Sequence, residues 1–317
     1  MTSSFVISID HGNHHMKTLH HSFPAGLVES SHLATFGKDV LGYAGHQYMI
    51  ADRKSQKNDK TADDDYFKLT LIAIAKELVG NESFGLGSAT TNIELLVGLP
   101  PAHFREMESR FKNYFMSRGE RIAFKFNGQL FTICITGVKV YPQAYAAAFS
   151  MHDKLRDSRT INIVDLGGYT VDCLRLTDLQ VDANAATSLH KGINKLFQSI
   201  NQKVRATCAE DMLDVEIEGI LRRDFKTMKD YSPKQIELIT STARAFAREL
   251  LLEVSQTGLN LANNRTLFIG GGAMLLREYL EEVNLVMKPT FTDDIHANAR
   301  GYQYLYDLEQ RAARLKS

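Results

Sequence analysis

The sequence predicts an α/β protein built from two copies of one domain, and three observations carry that prediction. The first is size. The chain has 317 residues, 44% of them hydrophobic, and at roughly 150 residues per domain that makes two domains. The second is an internal repeat. Ile7-Ser-Ile-Asp10-His-Gly12 and Ile163-Val-Asp165-Leu-Gly167 share one plan: an apolar strand, Asp at its end, Gly two residues on, then a return strand. They lie about half the chain apart, so each half starts a like unit. The third is Phe268-Ile-Gly270-Gly271-Gly272-Ala273-Met274, a strand that runs through three glycines into a helix start.

The elements follow in order. Residues 5–10 read as a buried strand ended by the turn signal His11-Gly12-Asn13, and residues 16–21 as its return strand. Short, glycine-punctuated strands continue to about residue 58. Asp63, Asp64 and Asp65 place acids at the positive end of a helix. Leu69, Ile72, Ile74, Ala75 and Leu78 extend it, and Gly80 can end it. Residues 93–99 form a strand stopped by Pro100-Pro101. A helix then carries Phe104, Met107, Phe111, Tyr114 and Phe115 on one face and stops at Gly119. Asn127-Gly128, between residues 122–126 and 129–135, is a type I′ hairpin signal. Residues 138–141 read as a further strand and 144–155 as a closely packed, alanine-rich helix.

The pattern restarts at residues 157–159. Residues 161–166 form a strand, Gly167-Gly168 a turn, and 170–176 the return strand. Helices are expected at about 192–204, 209–221 and 233–256, the last with Ile236, Ile239, Ala243, Phe246, Leu250 and Val254 at helical spacing. A strand at 267–270, a helix at 273–283 and a closing helix at 299–315, with Tyr302, Leu305, Leu308 and Ala312 along one side, complete the chain. The expected division is 1–150 and 151–292, with the C-terminal helix of 293–317 packing back on the first domain.

Composition narrows the function. Lys+Arg and Asp+Glu number 37 each, so the formal net charge is zero. A protein that rides on DNA phosphates shows a basic excess or stripe, and neither is present. Near-zero charge also gives little self-repulsion, which is compatible with self-association. Cys134, Cys173 and Cys208 are few and widely spaced, which suits a reducing interior. No leader segment and no apolar run approaching the ~20 residues of a membrane helix is seen. The expectation is a cytoplasmic protein with no membrane and no direct nucleic-acid partner.

The glycine turns suggest phosphate chemistry. A tight turn with Gly lets backbone N–H groups reach phosphate oxygens with no side chain in the way. A carboxylate there would repel phosphate unless it holds the water shell of a Mg²⁺, a role open to Asp10 and Asp165. Lys17 supplies a point charge for a β- or γ-phosphate. The triple glycine fits close approach to a flat base or a phosphate. Neither GxxxxGK[ST] nor a strand–GxGxxG–helix is present, which argues against a P-loop or Rossmann site. His11, His14, His15, His20 and His21 invite a zinc reading, but alternation along a hairpin sends their rings to different faces. His14 and His15 fit better as backbone donors to the phosphate turn.

Taken together these segments resemble the actin, heat-shock chaperone and sugar-kinase superfamily. Residues 7–17 resemble its first phosphate motif, 163–172 (IVDLGGYTVD) the second, and 267–275 (LFIGGGAML) the adenosine motif. Residues 140–148 (VYPQAYAAA) and 297–302 (ANARGY) resemble its two connecting helices. The phrases IDHGNHHMKT, FNGQLFTICITGVKVYPQAYAA and NIVDLGGYTVD are most similar to bacterial plasmid-segregation actins of the ParM/StbA type. The resemblance implies actin-like (ribonuclease-H-like) duplicated α/β domains with a nucleotide cleft between them, binding ATP or ADP with Mg²⁺. It assigns nucleotide contacts to Asp10, Gly12, Asn13, His14, His15, Lys17, Gly167, Gly168, Tyr169, Gly192, Gly270, Gly271, Gly272, Ala273 and Met274. Asp10 and Asp165 would hold Mg²⁺ through water. Gln143, Asp165 and Asp172 would be the catalytic residues.

Gln143 follows Pro142 at a strand-to-helix corner, where its amide can orient the attacking water or simply order the corner. Asp172 can orient water or brace the hairpin. Many ParM-type proteins carry Glu where this chain, like eukaryotic actin, has Gln143. The implied function is a filament-forming ATPase that joins head to tail with copies of itself and segregates plasmid DNA through a DNA-binding adaptor. The alternatives are a small-molecule kinase of the same superfold, or a bacterial cytoskeletal actin used by the chromosome. A chaperone would need a peptide-binding domain after Gly301, and too little chain follows for one.

Overall fold

The structure, a computed structural model, describes residues 4–29, 39–51, 59–81, 84, 90–151, 155, 157–182 and 185–315. The chain forms two compact units, Met1–Ser150 with His296–Ser317, and Met151–Ile295.

Among the described residues the first unit forms a nine-stranded sheet. Its strands are β1 (Ser4–His11), β2 (His15–Lys17), β3 (Ser22–Pro24), β4 (Gly26–Glu29), β5 (Val40–Tyr43), β6 (His46–Ala51), β7 (Thr91–Leu99), β8 (Ile122–Phe126) and β9 (Gln129–Pro142). They lie in the order β3-β2-β1-β7-β9-β8-β5-β6-β4. β1, β7 and β9 are parallel neighbours at the centre. Ile7 and Ile9 pair with Leu95 and Val97, and all four are buried, as continuous apolar runs in a covered parallel sheet must be. Helix α1 (Asp65–Val79) buries Tyr66, Phe67, Leu69, Leu71, Ile72, Ile74 and Leu78 and ends on Gly80. Helix α2 (Phe104–Met116) buries only Phe111, Tyr114 and Phe115, so it lies on the surface with one face inward.

Asn127 (φ +50°) and Gly128 (φ +83°) both have positive φ, as a type I′ turn requires. Three boundaries differ from expectation. The return strand stops at Lys17, because the Thr18 N–H turns back to the His21 carbonyl at 2.8 Å. The separate strand expected at 138–141 is the second half of β9, a single 14-residue strand. Ile93 pairs with Ile135 but Glu94 with Gly137, so Thr136 is a bulge that lets one strand run on. Helix α3 (Tyr145–Phe149) has only five residues: Ser150 and Met151 already form a turn, and residues 152–154 lie outside the described residues.

The second unit has β10 (Thr160–Leu166), β11 (Val171–Thr177), β12 (Gln180–Val181), β13 (Thr187–Leu189), β14 (Arg265–Ile269) and β15 (Pro289–Phe291). Their order is β12-β11-β10-β14-β15, with β13 on β11. Its helices are α4 (Ile193–Cys208), α5 (Asp214–Leu221), α6 (Phe225–Met228), α7 (Pro233–Gln256), α8 (Gly271–Leu275) and α9 (Arg277–Glu282). A reciprocal cap starts α7: Ser232 Oγ accepts from the Gln235 N–H, and Gln235 Oε1 accepts from the Ser232 N–H. The helix buries Ile239, Ala243, Phe246, Leu250 and Val254, and each large side chain contributes about 1.5–3 kcal/mol. The helix expected from 209 begins at Asp214, because Ala209 ends α4 in the left-handed conformation (φ +58°). The helix expected at 273–283 is two helices, α8 and α9, broken at Leu276.

The C-terminal helix (Ala297–Arg314) packs in the first unit. A side chain at Gly301 would run into the Ala146 carbonyl, so this glycine lets the helix lie directly on α3. Tyr302 is fully buried and stacks on Tyr141, with centroids 5.9 Å apart. Among the described residues no helix is long and apolar enough to cross a membrane.

Candidate functional site

In the first unit the candidate residues gather where β1 ends. Asp10 sits there 4% exposed, opposite Lys17 in the β1–β2 register. The two side chains form a loose pair, Nζ to Oδ2 3.9 Å. Gly12 lies so close to the His15 carbonyl that no side chain fits. Asn13 is tied to α1, its Oδ1 accepting from the Tyr66 hydroxyl at 2.8 Å.

The histidine run disperses. His11 is fully buried beside Tyr66, Phe111 and Phe115. Its Nε2 lies 2.8 Å from Thr70 Oγ1, and that hydroxyl donates to the Tyr66 carbonyl at 2.7 Å. The hydroxyl proton is therefore engaged, so the ring donates from Nε2. Burial first, and Lys60 second, hold its pKa down to about 3. Lys60 itself bonds the His11 carbonyl. His20 points outward to Glu77, while the His14 and His15 rings lie together, 4.7 Å between centroids. Among the described residues no group of three or more His, Cys, Asp or Glu could hold a metal ion.

Gln143 reaches this turn from the end of β9. Its Nε2 donates to Asp10 Oδ1 at 2.7 Å. A carboxylate only accepts, so the amide's orientation is settled by its partner. Among the described residues Oε1 accepts no hydrogen bond. The backbone that aims this side chain is unusual. Ala144 has φ +59° and ψ −50°, and the Tyr145 N–H donates to the Gln143 carbonyl at 2.5 Å. That is a γ-turn of the rare positive-φ kind, strained for any residue but glycine. The Ala144 N–H is held by Asn298 Oδ1 at 2.9 Å, and the Gln143 N–H by the Leu99 carbonyl at 2.8 Å.

In the second unit Asp165 ends β10 and stands opposite Asp172 on β11. Asp172 is 7% exposed. The turn between them is fixed by α4. The N–H groups of Gly192, Ile193 and Asn194 donate to the carbonyls of Tyr169, Gly167 and Gly168 at 2.9–3.0 Å. No side chain fits at Gly192, which faces the Gly168 carbonyl. With its carbonyls committed to the helix, the turn presents the N–H groups of Gly168 and Tyr169, which donate to nothing among the described residues. Such free amides suit an anion.

The three glycines differ in why they are glycine. Gly270 has φ +92° and ψ 159°, a region essentially closed to other residues. A Cβ there would also stand 2.6 Å from Asp165 Oδ1. At Gly272 a Cβ would stand 2.5 Å from Ile193 Cγ1. At Gly271 it would meet nothing within 4 Å. The protein itself requires the outer two; the middle one leaves bare backbone at an exposed surface, a cradle for a flat ligand. Ala273 is buried and Met274 half-buried, so Ala273 can offer a ligand only its backbone.

Each unit thus assembles its own share of the expected residues: Asp10, Gly12, Asn13, His14, His15, Lys17 and Gln143 in the first, and Asp165, Gly167, Gly168, Tyr169, Asp172, Gly192 and residues 270–274 in the second. The sequence reading missed Asn298, Tyr66, Thr70 and Lys60. Tyr66, Thr70 and Lys60 carry no local motif signal; Asn298 lies within the ANARGY segment of 297–302, but that segment does not tell that its side chain reaches Ala144, which only the fold shows.

Comparison with known proteins agrees with this plan. A family model for the N-terminal domain of actin-like proteins matches residues 8–145. A model for the C-terminal domain of the MreB-like archaeal actin homologue matches residues 163–282. No curated protein sequence matches. Among solved structures, a ParM filament subunit from Clostridium botulinum is 16% identical with a TM-score of 0.74, covering 97% of this chain and 100% of its own. The archaeal actin homologue Ta0583, in complex with ADP, is 16% identical with a TM-score of 0.71, covering 95% and 99%. The actin-like protein Alp7A is 15% identical with a TM-score of 0.75, covering 100% and 99%. Two models of one superfamily, in order along most of the sequence, agree with the like folds of these structures: the chain belongs to the actin-like superfamily.

Proposed function

We propose that this chain is an ATPase that binds ATP with Mg²⁺, assembles head to tail into filaments, and segregates plasmid DNA through a DNA-binding adaptor. The observation that carries the ATPase reading is the Gln143 amide. Its N–H₂ end is anchored on Asp10, and its oxygen is left to accept a hydrogen bond from a water. Holding that water in line with the γ-phosphate is the main task in phosphoryl transfer to water. Lys17 and the N–H groups of Gly168 and Tyr169 would bind phosphate oxygens, and the bare backbone at Gly271 would take the adenosine. Asp10 and Asp165, carboxylates at strand ends beside these turns, fit the water-mediated binding that Mg²⁺ prefers. When bound, Mg²⁺ supplies positive charge to the phosphate oxygens.

Support for adenine nucleotide comes from the ADP complex of the archaeal homologue. Support for filaments comes from similar chains solved as a ParM filament and an Alp12 filament, and from a ParM variant made non-polymerisable. Nucleotide drives assembly only by binding the polymer-competent state more tightly. A threshold near ~1 μM corresponds to about −8 kcal/mol per added subunit, a sum that phosphate contacts can tip. The neutral net charge favours an adaptor over direct DNA contact.

The test is sedimentation with ATP-Mg²⁺, ADP-Mg²⁺ or no nucleotide, with phosphate release followed in parallel. The protein is expected to pellet with ATP, poorly with ADP, and to leave naked DNA unshifted at physiological salt. A chain that hydrolyses ATP only when a small phosphate acceptor is added, and never pellets, overturns the filament reading in favour of a kinase.

A further inference from the structure

We infer that Asn298 is a positioning residue: it holds the strained γ-turn at Ala144 and thereby sets the catalytic amide of Gln143. The inference rests on the ATPase reading for its activity readout, though its geometry stands apart from it.

Alanine at φ +59° and ψ −50° sits outside its allowed regions and is strained there. Such a conformation persists only where the surroundings over-determine it. The strand holds the residue before: the Gln143 N–H donates to the Leu99 carbonyl. Helix α3 holds the residue itself from its carbonyl side, since the Ala148 N–H donates to the Ala144 carbonyl at 2.9 Å. The remaining backbone group, the Ala144 N–H, is held by a side chain 154 residues away, Asn298 Oδ1 at 2.9 Å. Ala144 is fully buried and Asn298 is 8% exposed, so water cannot readily replace that acceptor. An unpartnered N–H there would add a desolvation penalty to the strain.

The direction of Asn298 is fixed as well. It lies in the first turn of the C-terminal helix, and that helix is seated on α3 through Gly301 against Ala146. Relaxing the γ-turn would swing the Gln143 side chain off Asp10. A shift of about 1 Å in such a group costs on the order of 10²-fold in rate.

The experiment compares Asn298→Ala, Asn298→Asp, Ala144→Gly and the Ala144→Gly/Asn298→Ala pair in the full chain. Three readouts are taken: kcat for ATP, affinity for a fluorescent ADP, and the side-chain NH₂ resonance of ¹⁵N-labelled Gln143. Asn298→Ala is expected to lower kcat by about 10²-fold, to leave ADP affinity within about twofold, and to lose the hydrogen-bonded Gln143 signal. Asn298→Asp keeps an acceptor in place and is expected to retain the signal. Glycine adopts this γ-turn as readily as its mirror image, so Ala144→Gly is expected to restore much of both signal and rate in the pair. A structural brace alone would lower the melting temperature but leave kcat per folded molecule and the resonance unchanged; that result overturns the proposal. Should Asn298→Ala fail to fold, loss of the Gln143 signal in folded Asn298→Asp overturns it equally. Wild-type protein that shows the resonance pattern but hydrolyses no ATP refutes the ATPase reading and leaves the positioning intact.

Discussion

The triple glycine offers a sharp separation between stability and binding. Gly270→Ala forces alanine into a backbone region of φ +92°, ψ 159°, at about 1–3 kcal/mol. It also drives a methyl to 2.6 Å from Asp165 Oδ1 and 2.7 Å from the Leu166 carbonyl oxygen, an overpacking worth about 1–3 kcal/mol more. The combined loss, roughly 2–6 kcal/mol, is a large part of the 5–15 kcal/mol by which a typical domain is stable. Gly271→Ala meets nothing within 4 Å and replaces a helical glycine, so it should be neutral or gain up to about 1 kcal/mol. Urea unfolding without nucleotide measures both. Binding of a fluorescent adenine nucleotide measures the other half: Gly271→Ala should weaken it by tenfold or more, about 1.4 kcal/mol. The reasoning fails if Gly271→Ala binds nucleotide as the parent does, or if Gly270→Ala unfolds at the parent's urea concentration.

Two further outcomes are expected. Gln143→Ala and Asp165→Ala should keep nucleotide binding while losing about 10²–10⁴-fold in turnover; parental phosphate release by both would show that the assigned roles are wrong. His11 has a folded pKa of about 3 against an ordinary 6.5, so the folded state refuses a proton that the unfolded state takes up. Its contribution is complete above pH 6.5 and falls as pH drops towards 3, by up to about 1.4 kcal/mol per pH unit. His11→Phe should flatten that slope in urea titrations at neutral and mildly acidic pH, and an unchanged slope would exclude His11 as its source.

Much of this architecture could be read from local pattern because its signals are local. The two Asp–x–Gly turns, the Asn127-Gly128 hairpin and the α7 stripe each rest on residues within a few positions of one another. The errors fall where distant contacts decide. The bulge at Thr136 exists because β9 must keep pairing with β7, and no residue near it announces that. The late start of α5 reflects the left-handed Ala209 that ends α4, a conformation alanine seldom takes. The γ-turn at Ala144 is the clearest case. Pro142-Gln143-Ala144 signals a corner, but its conformation depends on Asn298, which only the C-terminal helix delivers.

The repeat that identifies the two halves also shows where they diverge. In each hairpin the residue seven positions after the strand-end aspartate stands directly opposite it: Lys17 across from Asp10, and Asp172 across from Asp165. The first copy therefore sets a cation beside its carboxylate and tolerates a second anion nearby. The second copy sets two carboxylates in register, and like charges directly opposite one another destabilise a sheet. A stretch of sheet that keeps such a pair at a glycine turn is better suited to a hydrated cation than to a phosphate side-on. The first copy's remaining partner points the same way, since Gln143 gives its donor end to Asp10 and so reinforces that carboxylate as an acceptor within the protein. In the proposed ATPase, Asp10 and Asp165 share the water shell of Mg²⁺; Asp172 opposite Asp165 adds negative charge there, while Asp10 also orients Gln143 and its neighbour Lys17 meets the phosphate. One duplicated hairpin then serves two chemistries, set by a single residue in each copy.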